Sequence, residues 1–160
     1  MNQITYAVKH KDKDVVTQSR SGGIFTAVSD IVLLNNGIVY GCILDEQLHV
    51  IHIRAVSQKD RDFMRGSKYV QSKLGNTYKN VKKDLNGNKV VLFTGTSCQV
   101  AGLKAFLGKE YNNLLCIDIV CHGVPSPKLF EEYVKWNGTV KSIDFRNYDN
   151  QMIPIAITKK

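Results

Sequence analysis

The chain lacks any apolar run approaching the length of a membrane span, and Asp30 and Asn35 bound its most apolar helix candidate. No membrane span is therefore expected. Its first residues, Met1-Asn2-Gln3-Ile4-Thr5-Tyr6, carry no basic-then-apolar signal pattern, so a cytoplasmic location is the expectation. With no secretion signal, the four cysteines do not read as a disulfide scaffold; reduced thiols or metal ligands fit better. Low-complexity segments, long linkers and internal repeats are missing as well. So are helix-turn-helix, RRM, KH and finger patterns that would organise the net charge of +8, and nucleic acid is not an expected partner. Two readings of the charge stay open: a solvated basic surface, or attraction for nucleotide phosphates, a phosphorylated cofactor or an acidic partner.

Several reaction classes are excluded by missing motifs. No lipase-type nucleophile elbow and no His-Glu-x-x-His occur, and no glycine loop ends in Gly-Lys-Ser/Thr. A Cys-x5-Arg phosphate loop fails because Lys104 stands at the arginine position after Cys98.

What is present fits one α/β domain over residues 1–160, long enough for a real core, with 43% hydrophobic and 22% charged residues. A short strand is expected at 4–8 and a charged turn at 9–14. Apolar residues at 24, 25, 27, 28, 31 and 32 have helical spacing and predict a helix over Ile24–Leu34, with Gly37 as its stop. The runs Ile38–Leu44 and 49–55 flank Asp45-Glu46 and predict a hairpin. Ser57 reads as the N-cap of a short helix at 58–64, ended by Gly66, and 67–71 as irregular. A helix at 76–85 turns Lys79, Lys82 and Lys83 outward. Strands at 89–94 and 114–120 enclose a helix at 99–107, a βαβ unit. Ser126-Pro127 suits an N-cap and first helical position for a helix at 128–136. Two more short strands are expected at 142–146 and 153–158. The fold class is α/β: an open mixed, largely parallel sheet with helices on both faces.

Most of the chemistry sits in Thr94-Gly95-Thr96-Ser97-Cys98-Gln99 and Cys121-His122-Gly123-Val124-Pro125-Ser126-Pro127. Each segment follows an apolar run that reads as a buried parallel strand, and each opens a helix. That edge of an open α/β sheet is where ligands bind, because loops diverge there and helix N-termini offer free N–H groups. Near a helix start, Cys98 has a setting that favours thiolate; it reads as a nucleophile, a metal ligand or a small residue at a tight turn. Ligation, redox work and core burial are all open for Cys121. His122 is a satisfied polar residue or, beside a cofactor, a proton or hydrogen-bond donor. Cys116 lies five residues before Cys121 on the same strand, so the two face opposite ways, ~16 Å apart at ~3.3 Å per residue. Cys116 therefore reads as core, and so does Cys42 within its apolar run. Cys98 and Cys121 can converge, since adjacent strands lie ~4.8 Å apart. An iron–sulfur cluster takes four thiolates, so two more ligands would have to come from elsewhere.

Three segments are candidate anion sites. Ser21-Gly22-Gly23 at a helix start offers a phosphate cradle or a plain capped turn, and Thr94-Gly95-Thr96 offers a second cradle. Arg65-Gly66-Ser67-Lys68 suits pyrophosphate or carboxylate, or is a capped helix end with solvated charges.

Together these segments resemble the coenzyme F420 hydrogenase/dehydrogenase beta subunit family. The resemblance rests on Ser21-Gly22-Gly23-Ile24-Phe25-Thr26, Gly37-Ile38-Val39-Tyr40-Gly41 and Arg65-Gly66-Ser67-Lys68-Tyr69-Val70-Gln71-Ser72. It continues through Gly95-Thr96-Ser97-Cys98-Gln99-Val100-Ala101-Gly102-Leu103 and Asp118-Ile119-Val120-Cys121-His122-Gly123-Val124-Pro125-Ser126-Pro127. It implies a flavin- and iron–sulfur-dependent oxidoreductase domain that passes electrons between a 4Fe–4S cluster and FAD. Hydride exchange with a small acceptor such as a deazaflavin would follow. By the resemblance, FAD contacts come from Ser21, Gly22, Gly23, Thr26, Arg65, Gly66, Ser67, Lys68, Gln71, Thr94, Gly95, Thr96 and Gln99. Cys98 and Cys121 would be cluster ligands, with His122 the catalytic candidate close to the redox centres. The implied partners are a ferredoxin-like domain or subunit and a small redox acceptor, with room for an oligomer.

Departures from the family pattern matter. Its usual N-terminal ferredoxin-like segment and C-terminal Cys-x-x-Cys pair are not in these residues, and Ser97 stands where proline is usual. The expectation is a central fragment. That motivates a second reading, a non-catalytic flavin- or nucleotide-binding module acting only within an assembly. A third is a cysteine-nucleophile transferase or hydrolase using Cys98 with His122.

Overall fold

The computed structural model describes residues 4–145. Ten elements follow in order: α1 (Lys13–Ser19), α2 (Ile24–Leu34), β1 (Ile38–Leu44), β2 (Val50–Ala55), α3 (Gln58–Asp62), α4 (Thr77–Asn86), β3 (Val91–Thr96), α5 (Ser97–Leu107), β4 (Leu114–Ile119) and α6 (Pro127–Trp136). The four strands form one sheet in the order β2-β1-β3-β4. β1 and β2 pair antiparallel across the hairpin, with Val39 opposite Ala55 and Leu44 opposite Val50. β3 runs parallel to both β1 and β4, so three strands deliver their C-terminal ends to one edge.

Side-chain alternation along β3 builds a core on each face. Val91 and Phe93 point to α4 and α5, where they join Val81, Leu85, Val100, Leu103 and Leu107. Leu92 points the other way, joining Val32 of α2, Val39, Ala55 and Met64. A fully buried side chain of this size contributes roughly 1.5–3 kcal/mol, so β3, apolar on both faces at Val91, Leu92 and Phe93, anchors the sheet. A third cluster, Val50, Val70, Phe130 and Phe145, seats α6 against the hairpin. The architecture is the expected α/β fold, an open, mostly parallel sheet with helices on both faces. No helix among the described residues is long and apolar enough to cross a membrane.

Local signals explain most boundaries. Ser126 accepts a hydrogen bond from the Leu129 amide and Pro127 opens α6, as that dipeptide predicts. Ser57 caps α3 in the same manner, through the Asp60 amide.

Five expectations need correction. The run before Cys121 reads as a buried strand, but β4 is the edge strand of the sheet, buries no residue fully, leaves Leu115 and Ile119 half-exposed and ends at Ile119. Residues 4–8 form no strand; Ile4, Tyr6 and Val8 are exposed, and no neighbouring strand takes up their backbone groups. The charged turn expected at 9–14 gives way to α1, capped by Asp12 through the Asp14 amide. α1 buries no residue, so it has no apolar stripe to show in the sequence. β3 begins at Val91, because the Lys89 amide closes back on the Asp84 carbonyl at the end of α4. It then runs on through Thr96 directly into α5, with no intervening loop. Residues 142–145 form no strand; the expected strand at 153–158 lies outside the described residues.

One buried charge fastens α3 to α2. Arg61 is 1% exposed and pairs with Asp30 at 2.7 Å and Asp62 at 2.8 Å. It also donates to the Thr26 carbonyl at 3.0 Å and to the Ser29 hydroxyl. Breaking a buried ion pair costs about 3–5 kcal/mol, and Asp30 and Asp62 retain some solvent. Arg61→Ala is accordingly expected to lower the urea-unfolding free energy by about 3 kcal/mol. A loss well under about 1 kcal/mol would show that the cluster is solvated and carries little.

Candidate functional site

The strand-end edge carries both candidate cysteine corners. Thr96 is the N-cap of α5, and its amide donates to Gln99 Oε1 at 3.1 Å, half of a capping box. Cys98 is exposed one position into the helix, its Sγ 3.1 Å from Thr96 Oγ1. Ser97 donates its hydroxyl to Asp118 Oδ1 at 2.8 Å and so ties the start of α5 to the end of β4. Beyond β4, Cys121 is also exposed, and the Gly123 amide donates to its sulfur at 3.3 Å. His122 is exposed beside it.

Cys42 and Cys116 differ from this pair. Cys116 sits opposite Phe93 in the β3–β4 register and packs against the α4–α5 core. Burial pushes both the Cys42 and the Cys116 thiols up from their ordinary range. Among the described residues no three His, Cys, Asp or Glu side chains converge to hold a metal ion. The donors of residues 4–145 thus do not complete a four-thiolate set.

The glycine turn before α2 is filled by the chain itself. The Gly22 carbonyl accepts from the His10 amide at 2.7 Å, and a Cβ at Gly22 would stand 2.6 Å from the Val8 carbonyl oxygen. Gly23 has φ +79°, left-handed backbone that glycine adopts without strain, and a Cβ there would meet His10 Cβ at 2.9 Å. Close packing of residues 8–10 accounts for both glycines; Ser21 beside them is exposed.

The Arg65–Lys68 stretch borders a cavity of about 260 Å³, also lined by Arg20, Asp62 and Asp144. Arg65 is held from three helices. It donates from Nε to Thr26 Oγ1 at 3.2 Å, donates to Gln18, and pairs with Asp62 at 2.8 Å. Thr26 itself is buried at 1% exposure. Lys68 donates to the carbonyls of Phe63 at 3.1 Å and Arg65 at 2.9 Å. Burial lowers the Lys68 pKa, and Cys42 acts in the opposite direction. Gly66 and Ser67 line the same cavity. Gln71 is exposed, and its amide donates to the Pro125 carbonyl at 3.2 Å, joining this stretch to the segment after Cys121.

Thr94 and Gln99 turn inward. Thr94 donates from Oγ1 to the Tyr40 carbonyl at 3.0 Å, and its own carbonyl contacts His52 Nε2 at 3.0 Å. Gly95 is buried within β3. Gln99 Nε2 donates to Ser72 Oγ at 2.8 Å, and Ser72 Oγ lies 2.9 Å from His52 Nδ1. A carbonyl only accepts, so His52 carries its proton on Nε2 and takes the Ser72 proton at Nδ1. Burial holds the His52 pKa below its ordinary value, against the Thr94 carbonyl contact. Sequence reasoning missed His52 and Ser72. The available signal was a histidine at an inward position of β2, where a buried polar group needs partners.

Residues 88–159 match the family model for the C-terminal part of the coenzyme F420 hydrogenase/dehydrogenase beta subunit. No curated protein sequence matches. Among solved structures, a chain from a xenon derivative of the F420-reducing NiFe hydrogenase complex of Methanosarcina barkeri is similar at TM-score 0.62 and 20% identity. The alignment covers 87% of this chain and 53% of that one, so the present chain spans about half its length. At that identity the likeness is one of fold. The family match begins at residue 88, so the blocks at 21–26, 37–41 and 65–72 lie outside it.

Two outcomes are expected. Brief iodoacetamide treatment of the folded chain should label Cys98 and Cys121 first and leave Cys42 and Cys116 for slow reaction, read by peptide mass spectrometry. Equal rates at all four would refute the burial difference. The second outcome concerns acid. Unfolded histidine protonates near 6.5 whereas buried His52 resists, so below that pH the unfolded chain binds more protons and stability drops. Melting temperatures should decline from about pH 7.5 to about pH 5.5, and His52→Phe should flatten that slope. An unchanged slope in the variant would assign the acid sensitivity elsewhere.

Proposed function

We propose, for a chain whose residues 88–159 belong to the coenzyme F420 hydrogenase/dehydrogenase beta-subunit family, a flavin-dependent electron-transfer role at this strand-end edge. The supporting observation is the cavity beside the end of β1, lined by Lys68, by Arg65 paired with Asp62 and by Arg20 paired with Asp144, together with the family match. FAD is the proposed cofactor. About 260 Å³ lies just under the ~300–1,000 Å³ of whole-ligand pockets, so the cavity suits a pyrophosphate portion rather than the full dinucleotide.

In this reading each residue has a limited task. Arg65 uses three of its donor directions on Thr26, Gln18 and Asp62, which fixes the guanidinium and leaves further N–H groups for an anion. Lys68 spends two of its three protons on carbonyls and brings a positive charge to the cavity wall. Ser67 and the backbone of Gly66 supply neutral polar groups. Thr26, Thr94 and Gln99 hold the framework from beneath, their polar atoms already bonded to protein. The Ser21–Gly23 turn is closed by residues 8–10 and the Thr96 amide is committed to Gln99, so Ser21, Gly22, Gly23, Gly95 and Thr96 would shape the edge rather than donate to the anion. When bound, a flavin supplies the exchange between hydride and single electrons; the protein supplies orientation and electrostatics. His122 is the proposed proton or hydrogen-bond donor near it.

Cys98 and Cys121 are the proposed thiolate pair for an iron–sulfur centre whose remaining ligands lie beyond residues 4–145. A ferredoxin-like domain or subunit and a small redox acceptor are the proposed partners, and residues 1–160 the central part of a longer redox protein. The lack of a third converging donor among the described residues favours one alternative, a flavin-binding module that works only within an assembly.

Titration of FAD into anaerobically prepared protein, read by flavin fluorescence, tests the reading. Saturable binding is expected. Lys68→Met should weaken it by about tenfold, because a hydrogen bond to a charged group is worth about 1.5–3 kcal/mol and 1.4 kcal/mol is tenfold. Flavin binding without iron after reconstitution would support the module alternative. Neither flavin nor iron would overturn both.

A further inference from the structure

The polar chain through His52 closes on itself. It leaves β3 at the Thr94 carbonyl, crosses to His52 on β2, passes to Ser72, enters α5 at Gln99, and returns to the Thr96 amide. The start and end are two residues apart at the C-terminal end of β3, where it enters α5, and Cys98 follows two residues on. One contact further, Thr96 Oγ1 touches the Cys98 sulfur.

Every bond in the ring has one permitted direction. The Thr94 carbonyl accepts from His52 Nε2–H, so His52 Nδ1 must accept, so the Ser72 hydroxyl must donate to it. Ser72 Oγ is then free to accept from the Gln99 amide nitrogen, which turns Gln99 Oε1 toward the Thr96 amide. The tautomer of His52 thus sets the orientation of the Gln99 side chain. His52, Ser72, Thr94 and Gln99 are each at most 9% exposed, so water is a poor substitute for a missing partner. Packing holds the histidine in turn: its ring stacks on Phe93 with centroids 5.5 Å apart and planes 16° from parallel.

We propose that His52 and Ser72 are positioning residues that fix the β3–α5 corner, and with it the Cys98 sulfur, through a directional hydrogen-bond ring. Neither side chain reaches the exposed edge, and both act through Gln99. The proposal deepens the redox reading and rests on it only for what the Cys98 thiol is used for. A histidine kept merely to fill space would be replaceable by any flat ring on Phe93, and Ser72 by alanine, without effect at Cys98.

The test uses the full 160-residue chain without cofactor. Iodoacetamide rates at Cys98 are measured relative to Cys121 by peptide mass spectrometry, with circular dichroism to verify folding. Ser72→Ala and His52→Phe should each shift that ratio by about threefold or more, the scale of one net hydrogen bond. Ser72→Thr, which keeps the hydroxyl, should restore it. An unchanged ratio in folded Ser72→Ala and His52→Phe overturns the proposal, as does failure of Ser72→Thr to rescue. Should the first two variants not fold, amide hydrogen exchange in the unaltered chain decides. The Thr96 amide should exchange as slowly as the ladder amides of β3, and exchange at solvent rate would overturn the ring. Lack of FAD binding by the unaltered chain would sink the redox reading, while the Cys98 ratio would still decide whether the ring positions the sulfur.

Discussion

Burial of β3 on both faces is the constraint on which the strand-end edge depends. Val91, Leu92 and Phe93 are each fully buried, two toward α4 and α5 and one toward α2 and Met64. A slip of one residue would exchange Phe93 and Leu92 between faces that fit only one of them. With β3 locked, its parallel ladders fix the register of β1 and β4 beside it. α5 then starts without a spacer, and Cys98 has no loop in which to wander.

Polar groups extend that rigidity to the ligand-facing segments. Arg65 is gripped by α1, α2 and α3, and Lys68 by two carbonyls of the preceding turn. Cations fixed in this way lose little freedom when an anion arrives, which is how preorganised sites limit the cost of binding. The same bonds use part of their donor capacity. The arrangement therefore suits an anion that shares these donors rather than one that demands all of them.

Much of this was legible in the residues. The bounds of the helix Ile24–Leu34 and the strand Ile38–Leu44 match to the residue, but the face α2 buries carries Thr26, Ser29 and Val32, while Ile24 and Ile31 of its apolar pattern stand exposed. α1 was invisible because it buries nothing, and residues 4–8 resembled a strand that has no neighbour to pair with. Composition alone could not distinguish a phosphate cradle at Gly22-Gly23 from close packing; the backbone of Val8 and His10 makes that difference. Thr94 and Gln99 looked available at a loop, yet their partners Tyr40 and Ser72 lie 54 and 27 residues away. Partners so distant in sequence leave no local signature. Cys116 packs inward as the pleat predicts, but Cys121 lies two residues past the end of β4 rather than on it, so its exposure comes from the loop and not from strand alternation.

In the proposed reading, the edge formed by residues 65–71 and 94–99 receives a flavin. Amide hydrogen exchange of the intact chain with and without FAD addresses that point without relying on turnover. Slowed exchange is expected in those two segments, with the C-terminal turn of α4, which leads to the opposite end of β3, unchanged. Protection confined to other segments, or no change anywhere at saturating FAD, would contradict it.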